Sequence, residues 1–197
     1  ALAGALVLKR RQSHLDHKEI PPANIPYVLI GTGLLWFGWF GFNAGSALAA
    51  NGTAAMAFAT TTTSSAAAML TWVFFDRMNG RKVSALGACI GAVVGLVAIT
   101  PAAGFVSVPE SMFFGFVTAL VSNSVVNCRF SKRFDDTLDV FACHGVGGMV
   151  GMLLTGVFAS KSVNSIVGDN QGLIFGDATL FLIQLKALVL VSIFAFS

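Results

Sequence analysis

Long apolar stretches, broken by short charged or turn-forming connections, set the pattern of this chain. A helix needs about 20 mostly apolar residues to cross a bilayer, with about 17 as the lower limit. On that scale the pattern predicts spans near 26–49, 53–75, 84–102, 111–128, 137–159 and 177–197, after an apolar stub at 1–8. The connections read KRRQSHLDHKEIPP, DRMNGRK, TPAAGFVSVPES, CRFSKRFDD and SKSVNSIVGDNQG, and they hold the turn formers and most of the charge. The expected fold class is therefore all-α, a polytopic membrane helix bundle, with residues 1–197 forming one transmembrane domain. Both ends, ALAGALVLKRRQ and KALVLVSIFAFS, read as cuts through membrane helices. The chain is expected to be part of a longer protein.

Composition agrees with that class. Of 197 residues, 55% are hydrophobic and only 11% charged, with 18 phenylalanines and a mean hydropathy of +0.79, outside the balance of soluble globular domains. A net charge of +3 would suit a nucleic-acid surface if the basic residues were spread over the chain. They are not. Ten of the twelve Lys and Arg (Lys9, Arg10, Arg11, Lys18, Arg77, Arg81, Lys82, Arg129, Lys132, Arg133) fall in the first, second and fourth connections. Those three loops are two crossings apart, so the positive-inside rule places all of them in the cytoplasm and the loop at 160–176 outside. No nucleic-acid partner is expected. Cys89, Cys128 and Cys143 form an odd, widely spaced set without a CxxC pair, so free thiols are expected, with neither a disulfide framework nor a metal site.

Within the spans, Gly87, Gly91 and Gly95, and again Gly147, Gly151 and Thr155, recur at helical spacing. Such rows let helix backbones approach closely in lipid, and packing explains them fully. The stretch GWFGFNAGSA at 38–47 carries more. At about 100° per residue, Gly38, Gly41 and Gly45 form one stripe, flattened for a neighbouring helix, while Trp39, Phe42 and Ser46 form another. Two readings suit the second stripe. Trp belongs to interfacial belts and Ser is common between helices, yet aromatic faces beside a hydroxyl can also hold a cation. His144 lies about 10 Å into its span and is predicted to share a stripe with Gly147, Gly148, Gly151 and Thr155, facing protein or a cavity. An ionisable residue at that depth is a functional candidate, with a histidine satisfied by a helix carbonyl as the plainer alternative. His14 and His17, in the charged loop, are expected to be solvated.

In this order and spacing, WFGWFGFNAGSA, LGACIGAVVGLVAITPAAGFV and DDTLDVFACHGVGGMVGMLLTGVFA resemble the Amt/MEP/Rh ammonium transporter family, nearer its Amt branch. The resemblance covers nearly the whole chain, from the end of the family's fifth helix to part of its eleventh. It implies the second half of an eleven-helix inverted-repeat transporter, assembled as a homotrimer in the cell membrane, each subunit with its own narrow hydrophobic pore for ammonium or ammonia. By motif, Ser46 matches the hydroxyl of an external ammonium site, Trp39 a pore-lining tryptophan, Phe42 the inner ring of a phenylalanine gate and His144 the second of two pore histidines. Asp139 matches an acidic residue near the start of the histidine helix, for which an N-terminal cap or dipole partner is a sufficient account. The first pore histidine, the other gate phenylalanine and the external-site tryptophan would precede residue 1. The resemblance implies no cofactor, admits methylammonium as a substrate analogue and allows for a cytoplasmic regulatory protein.

Two rivals remain at this level. An ammonium sensor that binds without conducting would carry the same motifs. An intramembrane serine hydrolase could be drawn from Ser46, His144 and Asp139, but their depths in the membrane make a hydrogen-bonded triad a poor fit.

Overall fold

The computed structural model describes residues 1–16, 21–128 and 134–196. Among them the fold is all-helical: α1 (Leu2–Leu8), α2 (Gln12–Leu15), α3 (Ile25–Asn43), α4 (Gly52–Met78), α5 (Ala85–Ile99), α6 (Val108–Asn127), α7 (Gly147–Phe158) and α8 (Thr179–Phe196). Each predicted span has its helix. Four are both long and apolar enough to cross a membrane: Ile25–Ala47, Ala85–Ala102, Phe141–Phe158 and Thr179–Phe196. Helices α4 and α6 are long enough, at 27 and 20 residues, but richer in Ser and Thr.

That polarity is absorbed locally. The hydroxyls of Thr60, Thr61, Thr62 and Thr63 donate to carbonyls one turn back, and Ser64 and Ser65 donate across to the carbonyls of Gly95 and Ala92 on α5. In an apolar medium each such bond removes an otherwise costly orphan.

The glycine rows do what their spacing predicts. A Cβ on Gly95 would lie 2.5 Å from Ser64 O and 2.6 Å from Ser65 Cα, and one on Gly115 of α6 would lie 2.2 Å from Ser64 O. Helix α4 is thus held between α5 and α6 at backbone contact, which only glycine permits. Gly151 likewise seats α7 on α5, where a Cβ would meet Ala98 O at 2.1 Å. The stripe Gly38, Gly41 and Gly45 differs. Among the described residues no atom beyond the helix's own nearby backbone comes within 4 Å of a Cβ placed there, so none of them supplies the neighbouring helix expected on that face.

Helix boundaries follow local chemistry. Asn24, Asn51 and Ser84 cap α3, α4 and α5 by accepting from the backbone amides of Tyr27, Ala54 and Gly87. At α6, Glu110 reaches back to the Ser107 amide at 2.6 Å, which starts the helix a turn earlier than the apolar pattern suggests.

The loops fix sidedness. Arg11 grips Asp135 with Nε at 2.7 Å, one terminal nitrogen at 2.7 Å and its backbone amide at 2.9 Å. Arg81 binds Asp76 at 2.8 Å and Asn123, near the end of α6, at 2.5 Å. At the other end, Ser160 N donates to Phe105 O and Asn164 Nδ2 to Gly104 O. The first, second and fourth connections therefore lie at one end of the bundle, as the charge pattern predicts. The guanidinium bond of Arg11 holds the Asp135 carboxyl down at about 2. This contact contributes above the ordinary carboxylate range near 4 and fades only as pH falls towards 2.

Candidate functional site

The end of α3 brings Trp39, Phe42 and Ser46 together. After Asn43 the helix tightens into a 3₁₀ turn at Gly45–Ala47 and stops where Leu48 turns left-handed, at φ 53°. That turn lets the Ser46 hydroxyl donate to Phe42 O at 2.5 Å. The Phe42 ring meets Trp39 edge-on, with centroids 5.9 Å apart at 76°, and is 61% exposed. Ser46 has spent its single proton on a carbonyl, so its lone pairs remain as acceptors. Beside two aromatic rings, such an oxygen suits a small cation with N–H donors.

Residues the sequence reading passed over anchor the cluster. Trp39 Nε1 donates to Thr100 Oγ1 at 2.8 Å, which fixes the indole against the end of α5. Asn43, buried, donates to Thr61 Oγ1 at 3.0 Å, and Phe40 stacks on Phe58 with centroids 4.1 Å apart, tying α3 to α4. An amide inside an apolar run and a Thr before Pro101 were the available signals.

His144 sits in an unpredicted π turn, Phe141–Val146, that leads into α7. Single π turns recur at functional sites because the wider ring re-aims side chains. Gly147, Gly151 and Thr155 are buried, whereas His144 is exposed. It lines an open cavity of about 230 Å³ with Val28, Thr32 and Leu35 of α3 and Leu86 and Cys89 around the start of α5. His144 lines a cavity beside α5, the helix that Gly147 and Gly151 also pack against.

Of the two accounts given for Asp139, the cap belongs to another residue. The carboxylate that caps the π turn is that of Asp136, which accepts from the Phe141 amide at 2.5 Å. Asp139 adopts φ 52°, a left-handed conformation that Asp tolerates better than most residues, and its backbone carbonyl accepts from Cys143 N. Its side chain lines a larger cavity of about 490 Å³ with Arg11, His14 and Thr137, and Leu138, Val28, Leu86 and Ile90 line this cavity and that of His144 alike. His14 is half-buried and its Nδ1 is enclosed without a partner, so it is not the solvated loop residue expected. His17 lies outside the described residues.

Ser46 and His144 are not brought together. The His144 cavity touches α3 no further along than Leu35, and Ser46 lies about eleven residues beyond, roughly 16 Å along the helix. A hydrolytic triad of Ser46, His144 and Asp139 is excluded by that spacing. What remains is a face of α3 with a polar-aromatic cluster at one end and a histidine-lined cavity at the other.

Comparison with known proteins gives the family. The model of the Ammonium Transporter Family matches residues 1–197. The chain belongs to that family. It is 45% identical over its whole length to a putative ammonium transporter of Methanothermobacter thermautotrophicus, covering 47% of that protein. It is also 45% identical to an ammonium transporter of Aquifex aeolicus, over 95% of this chain and 43% of the relative. The crystal structure of Candida albicans Mep2 superposes with a TM-score of 0.87 at 37% identity, covering 99% of this chain and 44% of that one. This member of the family thus spans about half the length of the relatives it matches. With its four long apolar helices, it is an integral membrane protein.

Proposed function

We propose that the intact protein carries ammonium nitrogen across the cell membrane, as a homotrimer in which each subunit has its own pore along the exposed face of α3. The observation that carries this reading is the contact cluster of Trp39, Phe42 and Ser46 at the opposite end of α3 from the His144 cavity. The relatives named as ammonium transporters supply the substrate class. The glycine stripe of α3, free of neighbours among the described residues, is available to the rest of the protein.

In this reading Ser46 and the aromatic rings replace part of the hydration shell of an ammonium ion, by accepting a hydrogen bond and by cation–π attraction. Beyond the Phe42 ring a charge is expensive in an apolar tube. The ion gives up its proton, ammonia passes the ring, and the His144 imidazole offers one donor and one acceptor along the way. The proton returns outside or is relayed through His144 and a second histidine. A transporter is favoured over a sensor because the relatives at 45% identity are named as transporters. Uptake of labelled methylammonium by the full-length protein tests the proposal: saturable uptake that ammonium competes away is expected, and uptake no greater than in empty cells overturns it.

A further inference from the structure

We propose that Thr100 is a positioning residue for the polar-aromatic cluster of α3: it takes up the one polar group of Trp39, the indole N–H, so that this side chain meets a cation as aromatic surface only. The proposal rests on the reading of that cluster as a cation site. Its chemistry starts at the end of α5. There the chain tightens into a 3₁₀ turn at Thr100–Ala102, and the Thr100 amide donates to Val97 O, not to Leu96 O as in a continuing α-helix. The Thr100 hydroxyl serves Leu96 O instead, donating to it at 2.8 Å. Its proton is then committed and only its lone pairs remain. Trp39 Nε1 donates to them at 2.8 Å.

Helix α3 has other contacts to hold it. Asn43 Nδ2 donates to Thr61 Oγ1, whose own proton goes to Ala57 O at 2.6 Å, and Phe40 stacks on Phe58. What the bond to Thr100 adds is the direction of the half-buried indole, and with it the near-perpendicular pairing of Trp39 with Phe42. Direction matters because an ammonium ion brings N–H donors and no acceptor. A free indole N–H is also a donor and offers such an ion nothing, whereas the ring face attracts it. Without the Thr100 hydroxyl the indole N–H has to find another acceptor, and the ring turns with it. Thr100 thus keeps the donor out of the path of the cation and the ring in it.

Uptake of labelled methylammonium by the full-length protein, measured in the parent and in a Trp39→Phe background, tests the assignment. Thr100→Val is expected to raise half-saturation in the parent by about 2- to 10-fold, the equivalent of one hydrogen bond, and Thr100→Ser, which keeps the hydroxyl, to restore it. Trp39→Phe leaves no N–H to place, so Thr100→Val is expected to raise half-saturation no further in that background. A threonine that only closes the end of α5 behaves differently: its loss lowers the melting temperature and acts alike in both backgrounds. An equal factor in both backgrounds, or an unchanged half-saturation in the parent, overturns the proposal and leaves the transport reading in place. A parent without saturable uptake overturns the transport reading, and this proposal with it.

Discussion

At the scale of single residues, the roles proposed for the cluster at the end of α3 separate recruitment from passage. Ser46→Ala removes the oxygen proposed to accept from the ion, together with its bond to Phe42 O. It is expected to raise half-saturation for methylammonium by about 2- to 10-fold, the equivalent of a typical hydrogen bond of ~0.5–1.5 kcal/mol, with maximal flux nearly unchanged. Phe42→Ala opens the ring and changes flux or selectivity instead; equal shifts in half-saturation and unchanged flux for both variants remove Phe42 as a gate. Trp39, Phe42, Ser46 and His144 were legible as candidates from residue type and helical spacing. Three features were not. Asp136 rather than Asp139 caps the histidine turn because Asp139 turns left-handed, and no local pattern announces that. The partners Thr100 and Thr61 lie far along the chain. The π turn that carries His144 leaves no signal in a pattern drawn at a constant 100° per residue.

At the scale of elements, the bundle depends on backbone contact at glycine. Gly95→Val is expected to force α4 and α5 apart, since even its Cβ would lie 2.5–2.7 Å from Ser64 O, Ser65 Cα and Ala68 Cβ. Overpacking of this kind costs about 1–3 kcal/mol or more, measured as lost yield and a lower melting temperature in detergent. Gly80→Ala, at the exposed end of α4 with φ +70° and nothing within 4 Å, isolates the backbone cost alone and is expected to lose less. If Gly95→Val were as stable as the parent, α4 and α5 would not be in the contact described. The α5 row was readable from spacing because each glycine meets one continuous neighbour. Helix α4 was legible as a span although four threonines in a row lower its hydropathy, because their hydroxyls bond within the bundle and remain compatible with lipid around it.

At the scale of the whole molecule, sidedness and transport are the claims to test. Single cysteines at Ser13 and Ser162 are expected to label oppositely with an impermeant thiol reagent added outside intact cells, Ser162 reacting and Ser13 protected. Equal labelling contradicts the topology read from ten basic residues and from the Arg11–Asp135 and Ser160–Phe105 contacts. Much of this architecture was visible in charge and length alone, whereas the contacts that join one loop to another required the fold. The most direct test of the central claim is labelled-methylammonium uptake by the full-length protein in cells lacking their own ammonium transporters, with trimer yield measured in the same preparation. The account predicts saturable, ammonium-competed uptake by the parent, and for His144→Ala an intact trimer in which uptake is lost or its dependence on pH is altered. An intact His144→Ala trimer with unaltered uptake, selectivity and pH dependence would contradict it.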